Sequence, residues 1–111
     1  MPPPSLLIGS ELSLYREVLE GTLHALRPGM AVRAVPVADL DTSVVLLRPW
    51  LVICSAVTRV IEELAQAWIL LYPEGRDAVV CIGGNRRIIP DPTIDELLNV
   101  IDEAQAMVTS G

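Results

Sequence analysis

Lysine is absent from this 111-residue sequence, and all eight of its basic residues are arginines. Fourteen acidic residues outnumber them and give a net charge of -6. Proteins gain most of their affinity for nucleic acids by neutralising phosphates with basic side chains. The acidic balance therefore argues against a nucleic-acid partner.

Cysteine and histidine are also scarce. Cys54 and Cys81 are the only cysteines, and His24 is the only histidine. They form no CxxC or Cys/His spacing of the kind that binds zinc. We therefore expect no metal site and no cofactor, and we expect two buried free thiols.

Signals for export or membrane insertion are missing as well. The start of the chain carries no basic n-region and no long apolar h-region, so no signal peptide is predicted. The apolar stretch over residues 44–57 is interrupted by Arg48 and Pro49 and is too short to span a bilayer. These patterns predict a cytoplasmic protein without a membrane partner.

Apolar residues, by contrast, make up 51% of the sequence, and the mean hydropathy is +0.47. The length suits one domain over residues 1–111, with a loose Pro-rich lead-in over residues 1–4. A domain this small has much surface for its volume. Its apolar content predicts a sheet buried on both faces, apolar surface covered by a partner, or both.

Hydrophobic periodicity divides the chain into alternating strands and helices. Strands are predicted over residues 5–8, 30–37, 50–54, 78–82 and 86–89. Helices are predicted over residues 11–26, from Asp39 or Asp41 to Leu47, and over residues 58–72 and 93–108. Thr93 and Glu96 form a capping box at the start of the last helix. Trp68 and Tyr72 lie on the inner face of the third helix in this pattern and are assigned to the core.

This alternation predicts an α/β fold, a three-layer sandwich around a mainly parallel sheet with strand order 2-1-3-4-5. Arg33 and Pro36 favour an edge position for the second strand. Only Gly83–Asn85 separates the last two strands, whereas a parallel crossover needs about a dozen residues or more. The last strand is therefore expected to form an antiparallel edge hairpin.

Three segments resemble parts of a response-regulator receiver domain. The run SLLIGSELSLYREVLEGTL from Ser5 is similar to the first strand and helix of that family. RPWLVICS from Arg48 resembles its third strand, and PTIDELLNVIDEA from Pro92 resembles its final helix. The resemblance covers nearly the whole chain and lies in the pattern of its strands and helices. It implies a flavodoxin-like fold and a role in signal transduction.

The resemblance also assigns the positions of the receiver's phosphotransfer residues. The phosphoacceptor aspartate falls on Ser55, and the acidic pair that holds Mg²⁺ falls on Gly9 and Ser10. The receiver's lysine falls near Pro90, and this chain has no lysine. Phosphoryl transfer needs a divalent cation and a positive group to neutralise developing charge. The resemblance thus implies a degenerate receiver without catalytic activity, and Ser55 is expected to cap the next helix.

Two further groups are candidates for binding. The candidate anion-binding residues are Gly83, Gly84, Asn85, Arg86 and Arg87. They could form a nest with two arginines that clamp a phosphate, or a tight hairpin turn whose solvated arginines protect a sheet edge. The candidate interface residues are Trp50, at the start of a strand, and Ile88 and Ile89, on the last strand. For Trp50, a place in the core is the alternative.

We therefore expect a non-catalytic signalling domain that acts through protein–protein contact, independently of phosphorylation, and forms a homodimer. The alternative is a sensor that binds a small molecule or an anion at the carboxyl ends of the strands. That alternative would place Gly9, Ser10, Ser55 and Gly83 around the ligand.

Overall fold

The computed structural model of the protein describes residues 5–9, 13–71 and 77–110. The strands are β1 (Ser5–Gly9), β2 (Ala31–Ala34), β3 (Leu51–Cys54), β4 (Ala67–Leu71), β5 (Asp77–Ile82) and β6 (Asn85–Pro90). The helices are α1 (Ser13–Leu26), α2 (Val37–Leu47), α3 (Arg59–Leu64) and α4 (Ile94–Ser110). None of these helices is long and apolar enough to cross a membrane.

The strands form one sheet in the order β2-β1-β3-β4-β5-β6. The first four strands in this order run parallel, whereas β5 is antiparallel to both β4 and β6. The α/β class, the edge position of β2 and the antiparallel hairpin at the other edge are thereby confirmed. The sheet contains one strand more than predicted, so the predicted strand order is wrong in detail.

The additional strand is β4, in a segment that was predicted to continue the helix over residues 58–72. That helix ends at Leu64, and Ala65 already has extended backbone angles. Trp68 to Leu71 form an unbroken apolar run, which periodicity alone cannot distinguish from a buried helix segment. The run becomes a strand because it pairs with β3 on one side and β5 on the other.

Helices cover both faces of the sheet and create two cores. On one face, α1 and α4 pack with side chains such as Leu6, Ile53 and Val80. On the other face, α2 and α3 pack with side chains such as Leu7 and Val52. This arrangement is consistent with a three-layer sandwich, and the central strands are apolar because both of their faces are buried.

A bidentate ion pair connects the two helices of the first face. Arg27, directly after α1, donates from Nε and Nη2 to the two carboxylate oxygens of Asp102 on α4, at 2.9 and 2.7 Å. These hydrogen bonds hold the pKa of the Asp102 carboxyl below its usual value. The pair is partly exposed, so its main effect is to orient the end of α1 against α4.

The predicted capping residues are confirmed for one helix and are wrong for another. Neither Asp39 nor Asp41 caps α2, because that helix begins directly after Pro36, which makes no side-chain capping bond. The capping box of α4 is confirmed. The Glu96 backbone N–H donates to Thr93 Oγ1 at 3.2 Å, and the Thr93 N–H donates to Glu96 Oε1 at 3.2 Å.

We expect Thr93→Ala to lower the free energy of unfolding by about 1 kcal/mol, because it removes the acceptor of this cap. Thr93→Ser is the matched control, since it keeps the hydroxyl group. Urea unfolding followed by circular dichroism measures both. Equal stabilities of the alanine and serine variants would contradict a capping role.

Candidate interaction surface

Two of the predicted phosphotransfer positions do meet in the structure. β1 and β3 are neighbours, and the Ser55 backbone N–H donates to the Gly9 carbonyl at 3.3 Å. Ser10, the other predicted position at this end of the sheet, lies outside the described residues. The carboxyl ends of β1 and β3 therefore adjoin, as the predicted neighbourhood of the first and third strands requires.

Gly9 is a packing residue in this arrangement. A Cβ atom at this position would lie only 2.6 Å from a terminal methyl carbon of Leu40 on α2. The absence of a side chain thus lets α2 lie close against β1.

Ser55 does not cap α3, so that prediction is wrong. The capping residue is Thr58, whose Oγ1 accepts from the Ile61 backbone N–H at 3.3 Å and donates to Asp41 at 2.7 Å. The chain continues for three residues beyond β3 before the cap, which takes Ser55 out of reach of the helix. Its hydroxyl oxygen is buried without a hydrogen-bond partner among the described residues.

The glycines between β5 and β6 form a two-residue turn, one residue shorter than predicted. Gly83 and Gly84 have φ angles of +58° and +87°. This sign pattern belongs to the type I′ turn, which matches the twist of a hairpin and favours glycine. Asn85 already belongs to β6 and lies opposite Ile82.

Arg86 and Arg87 point to opposite faces of the sheet because they are consecutive in a strand. Arg86 lies over the Trp68 ring, 5.3 Å from its centroid, and donates to Glu62 of α3 at 3.1 Å. Arg87 donates to both carboxylate oxygens of Glu103 on α4, at 3.3 and 2.5 Å. The predicted anion clamp is not assembled, since each guanidinium is paired with a different carboxylate.

Open space is found beside Arg87. A cleft of about 570 Å³ lies between α4 and the β5–β6 hairpin. A smaller cavity of about 230 Å³ adjoins it and includes Gly83 in its lining. The described residues that line the two spaces do not include Gly9 or Ser55, so binding of a small ligand stays a prediction.

Trp50 is a core residue, and its prediction as an interface contact is wrong. Its side chain is 4% exposed and packs in the core beneath α1 and α4. It directly precedes β3, which lies between β1 and β4. Trp68 is buried as predicted, although on a strand, and Tyr72 lies outside the described residues.

The last strand carries the most exposed apolar side chain of the sheet. Ile88 is 67% exposed, whereas its neighbour Ile89 packs partly against the core on the opposite face. Strand register places Leu70, Val79 and Ile88 side by side on β4, β5 and β6. We call this row of three side chains the bare row.

The bare row lies on the face that α2 and α3 share. Its exposure rises toward the edge, from the partly buried Leu70 and Val79 to Ile88. In the described ranges, α1 and α4 lie on the other face, and α3 has only six residues. Apolar surface at a sheet edge is a site for contact with another chain.

Both cysteines are buried and unpaired, as predicted. Cys54 lies opposite Leu70 and Cys81 lies opposite Trp68, so β4 separates the two thiols. Burial raises the pKa of the Cys54 thiol to about 12. A thiolate is the reactive form of cysteine, so Cys54 is unreactive at neutral pH.

Comparison with the models of known protein families, with curated proteins and with solved structures gives no match in any of the three. Among the described residues, no group of three or more histidine, cysteine or acidic side chains is arranged to hold a metal ion. The physical properties of the surface therefore carry the functional argument.

We expect neither thiol to react with an aromatic disulfide reagent at pH 8 while the protein is folded. Both thiols should react after unfolding in guanidinium, because burial is what protects them. Absorbance of the released aromatic thiolate measures how many thiols have reacted. Rapid reaction of one thiol in the folded protein would contradict the burial described here.

Proposed function

We propose that the chain is a non-catalytic, receiver-like domain with a flavodoxin-like architecture. It acts through protein–protein contact, independently of phosphorylation, and associates with itself. The observation that carries this proposal is the bare row, which brings an apolar stripe to the open edge strand β6. Surface of this kind on a small domain is suited to an interface.

The sheet supports the receiver-like part of the proposal. The order β2-β1-β3-β4 in parallel strands, with α1 on one face and α2 on the other, is the arrangement of flavodoxin-like folds. The chain departs from receivers after β4, where two short links join antiparallel strands instead of a helical crossover. That departure removes the helix that would cover the bare row.

The residues near Ser55 support a non-catalytic role. A serine hydroxyl is a weak nucleophile unless a neighbouring base activates it. Asp41, a carboxylate on α2, accepts a hydrogen bond from Thr58 rather than from Ser55. The chain also lacks any lysine to neutralise a phosphoryl group. We therefore assign the domain to binding rather than to phosphotransfer.

A second exposed apolar patch competes as an interface. On α2, Val45 is 47% exposed and Leu46 is 75% exposed. Both side chains project from a helix whose backbone groups are already hydrogen-bonded. An edge strand adds free backbone donors and acceptors to its apolar side chains, which favours β6.

Size-exclusion chromatography with light scattering tests the proposal over a range from micromolar to submillimolar concentration. We expect a mass of twice the 12.0 kDa of one chain at the upper end. Ile88→Lys should shift the protein to monomer, because association would bury an unpaired charge. Val18→Lys is the matched control, since Val18 on α1 is 55% exposed and far from β6 in the sheet order.

Three results would contradict this proposal. A wild-type monomer at every concentration would remove self-association. Dissociation by Leu46→Lys but not by Ile88→Lys would move the interface to α2. Addition of Mg²⁺ and a small phosphodonor should leave the mass unchanged, and a shift would contradict independence from phosphorylation.

A further inference from the structure

Among the described residues, no strand pairs with the outer edge of β6, which leaves a defined set of backbone groups there. In the type I′ turn, the Asn85 N–H bonds to the Ile82 carbonyl, so these residues form a hydrogen-bonded pair. Such pairs alternate with non-bonded pairs in an antiparallel ladder. The N–H and C=O of Arg86 and of Ile88 therefore point away from β5. Pro90 directs only a carbonyl outward, because it has no N–H.

Charge is distributed unequally along this edge. Arg86 lies at the start of β6, while Asp77 lies opposite Pro90 at its end, and Asp91 follows directly. Arg86 and Asp77 point to the same face, because alternate positions share a face. Because the Arg86 guanidinium lies back over Trp68 and is paired with Glu62, the hairpin end of the edge is close to neutral and the other end is acidic.

We infer that β6 pairs with β6 of a second copy in antiparallel orientation, centred on Ile88, so that one sheet continues through the dimer. This inference rests on the proposed self-association and specifies its geometry. A two-fold axis at Ile88 brings the acidic end of each strand to the nearly neutral hairpin end of the other. The two acidic ends therefore lie apart, and like charges do not meet in the interface.

The register follows from the side chains that would meet. Centring on Ile88 places the two Ile88 side chains opposite each other and Arg86 opposite Pro90 of the second copy. Centring on Arg87 would instead place the two arginines directly opposite each other, and like charges in that position are destabilising. The chosen register also forms four backbone hydrogen bonds, two between the Ile88 residues and two from Arg86 N–H to the Pro90 carbonyl.

The net charge of -6 does not oppose contact at this particular edge. Arg86 is paired with Glu62, and Arg87 is paired with Glu103, so the hairpin end of the edge is locally close to neutral. The bare row of each copy meets that of the other at Ile88. The combined stripe would then cross six strands, and it would exclude water from the most exposed apolar side chain of the sheet.

Ile88→Pro tests the edge pairing itself. Proline removes the outward N–H of residue 88, whereas the hairpin uses the N–H groups of Arg87 and Ile89. Two intermolecular hydrogen bonds are lost by symmetry, so we expect the dimer to dissociate at least about tenfold more readily. Ile88→Val is the matched control, because it keeps both the N–H and a branched apolar side chain. Circular dichroism reports whether each variant is folded.

A cross-linking experiment decides the question if the proline variant does not fold. Opposed residues in the proposed register have Cβ atoms about 5 Å apart. Ile88→Cys should therefore form a covalent dimer with a short bismaleimide, and Val18→Cys should not. The native thiols are buried and do not compete.

The outcomes separate this inference from the proposed function. Dissociation of the proline variant, with a dimeric valine variant and cross-linking at residue 88, supports the pairing. A proline variant that stays dimeric while Ile88→Lys is monomeric would overturn edge pairing and leave self-association intact. A dimer that is not cross-linked through residue 88 would overturn it as well. A monomeric wild type would overturn both the edge pairing and the proposed self-association. The edge of β6 would then be a binding site for an extended peptide of another protein.

Discussion

The main constraint on this fold is the shortness of the chain links after β4. A parallel crossover needs about a dozen residues or more, and β6 follows β5 after only the two residues Gly83 and Gly84. β5 and β6 therefore return antiparallel, with no helix between them. α4 comes only after the sheet is complete, and it packs on the face of α1. The opposite face thus ends in the bare row.

Much of this architecture could be predicted from local sequence patterns. The Thr93 cap, the hairpin and the edge position of β2 each depend on a few residues with strong local preferences. The sequence predictions failed where tertiary contacts decide the secondary structure or the burial of a segment. The Trp68 run became β4 through pairing with two neighbours, and Trp50 is buried because β3 is central. The bare row could not be predicted, because it depends on strand register and on which face each helix covers.

The candidate binding positions of the chain are occupied by contacts within the chain itself. At the strand ends, Gly9 packs closely against Leu40, and Thr58 rather than Ser55 caps α3. In the hairpin, the arginines bind Glu62 and Glu103 of the same chain, so neither guanidinium is reserved for an anion. What the described chain leaves open is an apolar edge with unpaired backbone groups. We therefore propose binding through β6 as the central property of the domain.

Amide hydrogen exchange of β6, measured by NMR at several protein concentrations, tests this claim most directly. The amides of Arg86 and Ile88 should exchange quickly in dilute solution and become protected as concentration rises, because the second copy satisfies them. The amides of Arg87 and Ile89 bond within the hairpin and serve as internal references. Fast exchange at Arg86 and Ile88 at every concentration would contradict the account.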